Sequence, residues 1–182
     1  MIFNETKLKN AFIIEIEKLE DERGFFARAW DNKKFEEHGL NSKLVQSNIS
    51  FTKKKGTIRG MHYQVPPYAE AKLIRCTRGK IYDVIIDLRT KSETFTKWVS
   101  IELSGNNHRT IYVPEGFAHG FQTLEDNTEV FYQVTKEYNP NYEGGLRWDD
   151  PVFGIKWPLG KKIISKKDSS WKSFESGIDL NY

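Results

Sequence analysis

Two stretches of the chain hold histidines in settings that could do chemistry. In the first, Gly56 to Gln64 (GTIRGMHYQ), His62 stands two residues before Gln64, and Glu70 and Gly79 follow. In the second, Pro114-x-Gly116 leads into His119. A neutral imidazole can take a proton as a general base, ligate a metal, or sit satisfied in a core. Around the first stretch, Arg59, His62, Lys72 and Arg75 fall within one predicted hairpin with few acids, a grouping that calls for an anionic partner. Arginine pairs bidentately with phosphate and lysine acts as a point charge, so a diphosphate fits. The alternative is that these side chains only solvate the rim of a barrel.

The elements that must position these residues are short strands. Ala11–Glu17, Val45–Thr52, Gly56–Tyr63, Ala71–Arg78, Lys80–Arg89, Lys97–Ser104, Arg109–Val113 and Thr128–Thr135 are each rich in β-branched or aromatic residues. Turn residues separate them at 54–56, 78–79, 104–107 and 114–116, a spacing that predicts a sandwich or barrel. In 80–88, Tyr82, Val84, Ile86 and Leu88 share one parity and Asp83 and Asp87 the other, so one apolar and one polar face is expected. Lys72 shares its face with Ile74 and Cys76, which puts it either in solvent at a strand end or in a polar cavity. Arg59 and His62 have opposite parity. Both face one cavity only if Gly60 introduces a bulge or the strand twists. One helix is predicted, Asp31–His38, with Asp31 as its cap and Gly39 as its stop.

Length and composition agree with one β-rich domain over residues 1–182. The tail from about 159 is polar and lysine-rich, read as loops or a short helix packed on the barrel by Trp171 and Phe174. Hydrophobic residues make up 38% and aromatics 14%, which excludes a disordered chain. A net charge of +3, with the signs interspersed, gives no ground for nucleic-acid binding. The single cysteine, Cys76, excludes an intrachain disulfide or a cysteine metal cluster. No signal peptide and no membrane-length apolar run is read, so the expectation is a soluble cytoplasmic protein without membrane partners.

The two histidine stretches resemble the paired motifs of the cupin superfamily, which are jelly-roll β-barrels. The resemblance implies an all-β, cupin-type barrel with a few short peripheral helices. Many cupins bind metal through two histidines and a glutamate of the first motif and one histidine of the second. Here Gln64 replaces the second histidine, and a neutral amide oxygen is a poor substitute for imidazole. Two histidines and a carboxylate could still form a facial triad, but no metal is expected.

Over nearly its whole length the chain also resembles the dTDP-4-dehydrorhamnose 3,5-epimerase family of nucleotide-sugar epimerases. The residues that carry this are Asp21–Phe26 (DERGFF), Gln46-x-Asn48, Gly56–Gln64 and Pro66–Arg75 (PPYAEAKLIR). Further along come Tyr82-Asp83-Val84 with Asp87-Leu88-Arg89, Pro114–Gln122 (PEGFAHGFQ), Trp148–Asp150 and Ser165–Asp168 (SKKD). The resemblance implies a nucleoside-diphosphate 4-keto-6-deoxy sugar as substrate, whose C3 and C5 protons both lie α to the C4 ketone. No cofactor is implied, and no glycine-rich dinucleotide motif is present.

Carried over residue by residue, the resemblance makes His62 the base and Asp168 its orienting partner. Tyr132 becomes the proton donor on the opposite sugar face, and Lys72 the stabiliser of the enolate. Arg59 supports the same anion or the phosphate; Arg23 meets the diphosphate and Phe26 the base, with Gln46 and Asn48 nearby. His119 is a pocket residue without an assigned role. Where well-known relatives carry an acid two positions after the second phenylalanine of DERGFF, this chain has Arg28, which leaves dTDP as the default nucleotide. The resemblance further implies a homodimer that exchanges an N-terminal strand, for which Ala11–Glu17 is apolar enough. Competing readings are a C3-only epimerase, a ketoisomerase on a related nucleotide sugar, and a non-catalytic sugar- or metal-binding cupin.

Overall fold

The computed structural model describes residues 1–160 and 162–174. In chain order the first elements are β1 (Ile2–Glu5), β2 (Phe12–Glu15), β3 (Leu19–Asp21), β4 (Gly24–Phe26), α1 (Asn32–Glu37) and β5 (Gln46–Thr52). They continue with β6 (Ile58–Gln64), β7 (Lys72–Arg78), β8 (Lys80–Asp87), β9 (Trp98–Ser104) and β10 (Thr110–Val113). The last are β11 (Phe117–Thr123), β12 (Thr128–Val134), β13 (Glu143–Gly145) and α2 (Lys166–Ser169).

Two antiparallel sheets face each other, six strands ordered β1-β2-β10-β7-β12-β5 and five ordered β13-β6-β11-β8-β9. Most neighbours within a sheet are distant in sequence, the strand order of a jelly roll. Each predicted strand run contains a strand. The helix forms as predicted: the Asp31 carboxylate accepts the Lys34 amide at 3.2 Å, and Gly39 follows at φ +68°. Among the described residues no helix is long and apolar enough to cross a membrane.

The core between the sheets is made by Ile74 and Cys76 of β7, Ile81 and Ile85 of β8, Ile111 and Val113 of β10, Phe121 of β11 and Val130 of β12. Burying a side chain of this size contributes about 1.5–3 kcal/mol, so this layer holds the sheets together. The outer face of the five-stranded sheet is covered too, with Ile58, Met61, Val84, Ile86 and Leu88 packed under Leu146, Phe153, Trp157 and Phe174. The outer face of the other sheet is partly roofed by Phe35 of α1 over Ile14, Leu73 and Tyr112.

Two expectations need correction. The second parity of β8 is not a polar face: Asp83 and Asp87 are fully buried there beside the core residues Ile81 and Ile85. Asp87 is satisfied there by Arg89, Ser92 and Thr94; Asp83 bonds His119 through Oδ2, while its buried Oδ1 has no hydrogen-bond partner among the described residues. Arg59, His62, Lys72 and Arg75 are not one hairpin, because β6 and β7 belong to different sheets and look at each other across the barrel. Nor is their surrounding acid-poor, as the site below shows.

Candidate active site

β6 delivers His62. Its pairing with β11 aligns His119 with His62 and Phe121 with Arg59, so three steps on β6 oppose two on β11. The extra residue is a bulge at Gly60, where φ is +125°. It cancels the parity mismatch, and Arg59 and His62 line one chamber. Glycine is required by space as well. A Cβ at Gly60 would lie 2.5 Å from the Gly120 Cα and 2.8 Å from the His119 carbonyl oxygen.

The His62 Nε2–H donates to Asp168 Oδ1 at 2.7 Å. Asp168 is on α2, whose cap is the Ser165 hydroxyl accepting the Asp168 amide at 3.0 Å. The Asp168 side chain is only 7% exposed, and its second oxygen faces the Gly60 amide at 3.4 Å. Burial by itself raises its carboxyl pKa. The bond to His62 and the charge there outweigh burial, and the net direction is downward from 3.8. The carboxylate is therefore held ionised, as an orienter of imidazole must be.

Two chambers share His62, Lys72, Tyr132 and Lys167. The larger, about 500 Å³, adds Gln46, Asn48, Glu70, Tyr138 and Glu143. The smaller, about 290 Å³, adds Arg59, His119 and Asp168. Lys72 faces the cavity with its side chain 11% exposed and lies 3.2 Å from the buried Glu70. Tyr132, on β12 opposite Asn48 of β5, is half-buried. Burial and then the Glu70 charge raise its pKa above 10.0 while Arg59 pulls it down, so the phenol stays protonated at neutral pH. Arg59 is held by Thr52 Oγ1 at 3.0 Å and the Phe51 carbonyl at 3.2 Å. His119 Nε2 and Asp83 Oδ2 share a hydrogen bond of 2.7 Å.

Three predicted positions lie elsewhere. Arg75 has the opposite parity to Lys72 and lines neither chamber. Arg23 and Phe26 sit on the β3–β4 hairpin, which touches the barrel through the Phe25 ring against His108; the Arg23 side chain is 85% exposed and pairs with Asp21, and Phe26 is 65% exposed. Arg28 reaches Asp31 at 3.6 Å. Gln64 is taken up by backbone: its amide nitrogen donates to the carbonyls of Tyr68 and Glu137, and its oxygen accepts the Asn139 amide at 2.7 Å.

The sequence reading missed Tyr138, Glu143 and Lys167. Glu143 Oε2 is 2.6 Å from Lys167 Nζ and accepts the Tyr138 hydroxyl at 2.9 Å. Burial raises its carboxyl, but the Lys167 and Tyr138 bonds outweigh this and the net direction is downward. The only sequence signal was Glu143-Gly144-Gly145, a strand too short to show a period. The arrangement as a whole places an oriented imidazole, a protonated phenol and a largely shielded ammonium around one cavity. That combination can remove a proton from carbon, hold the resulting enolate and return a proton.

The fold is a cupin-type barrel, with an imidazole, a phenol and an ammonium lining one cavity. The family description that matches the chain, over residues 5–176, is dTDP-4-dehydrorhamnose 3,5-epimerase. The dTDP-4-dehydrorhamnose 3,5-epimerase of Sinorhizobium fredii is 43% identical over 184 residues, covering 100% of this chain and 94% of its own length. The crystal structure of the enzyme of that name from Elizabethkingia anophelis superposes with a TM-score of 0.93 at 42% identity, covering 96% of each chain. The Bacillus anthracis enzyme, solved with TDP and PPi bound, gives 0.92 at 41% identity, covering 95% of this chain and 99% of that one. The chain belongs to the dTDP-4-dehydrorhamnose 3,5-epimerase family, a family of isomerases.

Proposed function

We propose that the protein inverts C3 and C5 of dTDP-4-dehydro-6-deoxyglucose to give dTDP-4-dehydrorhamnose, with His62 as the base. The observation that carries this is the 2.7 Å His62–Asp168 bond at a cavity also lined by Lys72 and Tyr132. With Nε2 bonded to Asp168, Nδ1 is the ring nitrogen left to accept a proton from C3 or C5. The electron pair of the broken C–H bond moves toward the C4 oxygen, and Lys72 stabilises that enolate. Tyr132 returns a proton from the opposite face, which inverts the carbon. Once His62 has released its proton to solvent and Tyr132 has taken one back, the same steps at the second carbon complete the reaction, and the chemistry needs no cofactor.

Nucleotide contacts are assigned to Arg59, Gln46 and Asn48 within the chain, His119 being a substrate-side pocket residue. Arg23 and Phe26 are assigned to the site of a partner subunit. That reading is supported by the exposure of the Arg23 and Phe26 side chains and by the exposed apolar residues Ile49 and Phe51 on β5. The protein is thus read as a homodimer with exchange of its N-terminal segment, where β1 offers a free sheet edge. We also read residues 1–182 as one domain. The lone cysteine, a buried thiol, supports a cytoplasmic location.

The test is incubation with dTDP-4-dehydro-6-deoxyglucose in deuterated water. Deuterium is expected at both C3 and C5, and none in a His62→Ala variant. Deuterium at C3 alone reduces the reading to a single epimerase, and none in the unaltered protein overturns it.

A further inference from the structure

Asp168 reaches His62 from an element with no stability of its own. α2 is four residues long, and a lone helical turn does not persist in water. Its place must come from the chain on either side. Before it, Ile163 bridges to Thr57 and exchanges backbone hydrogen bonds with Gly56 and Ile58 at the start of β6. After it, Phe174 is buried and its amide donates to Asp150 Oδ2 at 2.5 Å. Between these anchors, three residues beyond Asp168, stands Trp171.

Trp171 has a made seat. Gly145 on β13 is the register partner of His62, and a Cβ on that glycine would lie only 2.2 Å from the Trp171 Cε2. The absent side chain is what lets the ring lie on the strand. The indole also meets the His62 ring edge-on, with centroids 6.4 Å apart. Its N–H is buried and finds no hydrogen-bond partner among the described residues, so shape and not a polar bond holds it. Trp171 lines neither chamber. It touches the strand pair that carries His62 and belongs to the strap that carries Asp168.

We propose that Trp171, seated on Gly145, is a positioning residue that holds Asp168 against His62. This rests on the reading of His62 and Asp168 as the base and its orienter. A displacement of the strap by about 1 Å lowers turnover by roughly 100-fold where a reacting group must be aligned. The loss falls on kcat, because the residue is outside the substrate cavity. A phenylalanine keeps an apolar ring on the glycine and sacrifices no hydrogen bond.

The experiment measures kcat, KM and deuterium wash-in for Trp171→Ala, Trp171→Phe, Gly145→Ala and Asp168→Ala, and for the double variant Trp171→Ala/Asp168→Ala. Gly145→Ala displaces the ring without changing a charge or Trp171 itself, which keeps the test usable if Trp171→Ala does not fold. The expected result is a kcat loss of roughly 10- to 100-fold in Trp171→Ala and Gly145→Ala with KM changed less than about 2-fold. Trp171→Phe should stay within about 3-fold of the unaltered protein. In the Asp168→Ala background, Trp171→Ala should cost nothing more, since its effect passes through Asp168. Unchanged kcat in both ring variants overturns the inference, and so does an equal loss with or without Asp168. No wash-in by the unaltered protein refutes the functional reading instead, so the two failures are distinct.

Discussion

His62 and His119 are register partners on neighbouring strands, yet their Nε2 atoms turn to different carboxylates, Asp168 and Asp83, each at 2.7 Å. The two acids live in opposite settings. Asp168 is held below the ordinary carboxyl value of 3.8, the bond and charge of His62 outweighing its burial. Asp83 is raised above 3.8, because complete burial outweighs the charge and hydrogen bond of His119 and the charge of Lys72. One pair is built around a fixed carboxylate; the other carries a carboxyl that resists ionisation.

Stability should therefore respond to pH with opposite sign at the two sites. A depressed pKa contributes stability that is present above the unfolded value near 3.8 and is lost as pH falls through the folded value. A raised pKa contributes stability below 3.8 that is lost as pH rises through the folded value. Asp168→Asn should thus lower stability at neutral pH by about 1.5–3 kcal/mol, the size of a charged hydrogen bond, and match the unaltered protein in acid. Asp83→Asn should be neutral or stabilising at neutral pH, with its advantage vanishing in acid. Chemical denaturation of the three proteins from acid to neutral pH checks both signs, and a shared sign would contradict the assignment.

Tyr132 and His62 should separate proton removal from inversion. Without the phenol, His62 can still take the proton and give one back on the same face, so Tyr132→Phe should exchange substrate protons with solvent. Net epimer formation should fall by about 100-fold or more, the usual loss of a general acid. Mass spectrometry for deuterium and chromatography for product read the two quantities in one sample. Loss of exchange and product in parallel would instead make Tyr132 part of the base or of binding.

The bulge at Gly60 carries a sharp steric prediction. Alanine there would need φ near +125° and would press on the Gly120 backbone. Gly60→Ala should destabilise the fold by at least about 1–3 kcal/mol. Because the bulge brings Arg59 and His62 to one chamber, the folded fraction should also lose kcat. Thermal melts with kinetics below the melting point test this, and full activity in a stable variant would show that the bulge is not needed.

How far the sequence was legible depended on whether a feature was local. Runs of β-branched and aromatic residues between turn signals locate most strands, and Asp31 with Gly39 locates α1, since each signal sits within or beside the element it defines. β11 went unread because nearly every residue from Phe117 to Thr123 is buried, which erases the alternation. Asp83 and Asp87 suggest a polar face because partners such as His119, 36 residues away, cannot be seen from strand parity. Asp168 lies 106 residues from His62 on a single turn, and only resemblance pointed to it. Glu143 and Lys167 form their bond through β13 and α2, both too short to leave a pattern.

Arg23 and Phe26 give the remaining prediction. On their own barrel they line neither chamber, and the proposed dimer takes them from a second copy. A His62→Ala subunit keeps an intact hairpin, and an Arg23→Ala/Phe26→Ala subunit keeps an intact cavity. Each homodimer should be nearly inactive. Unfolded together and refolded in equal amounts, about half of the dimers are mixed, and each of these has one complete site. Activity should return to about a quarter of that of the unaltered protein. If the hairpin serves its own subunit's cavity, every site in the mixture carries a lesion and no activity returns. Return of activity that tracks the mixed-dimer fraction as the ratio of the two chains is varied would establish both the dimer and the exchange.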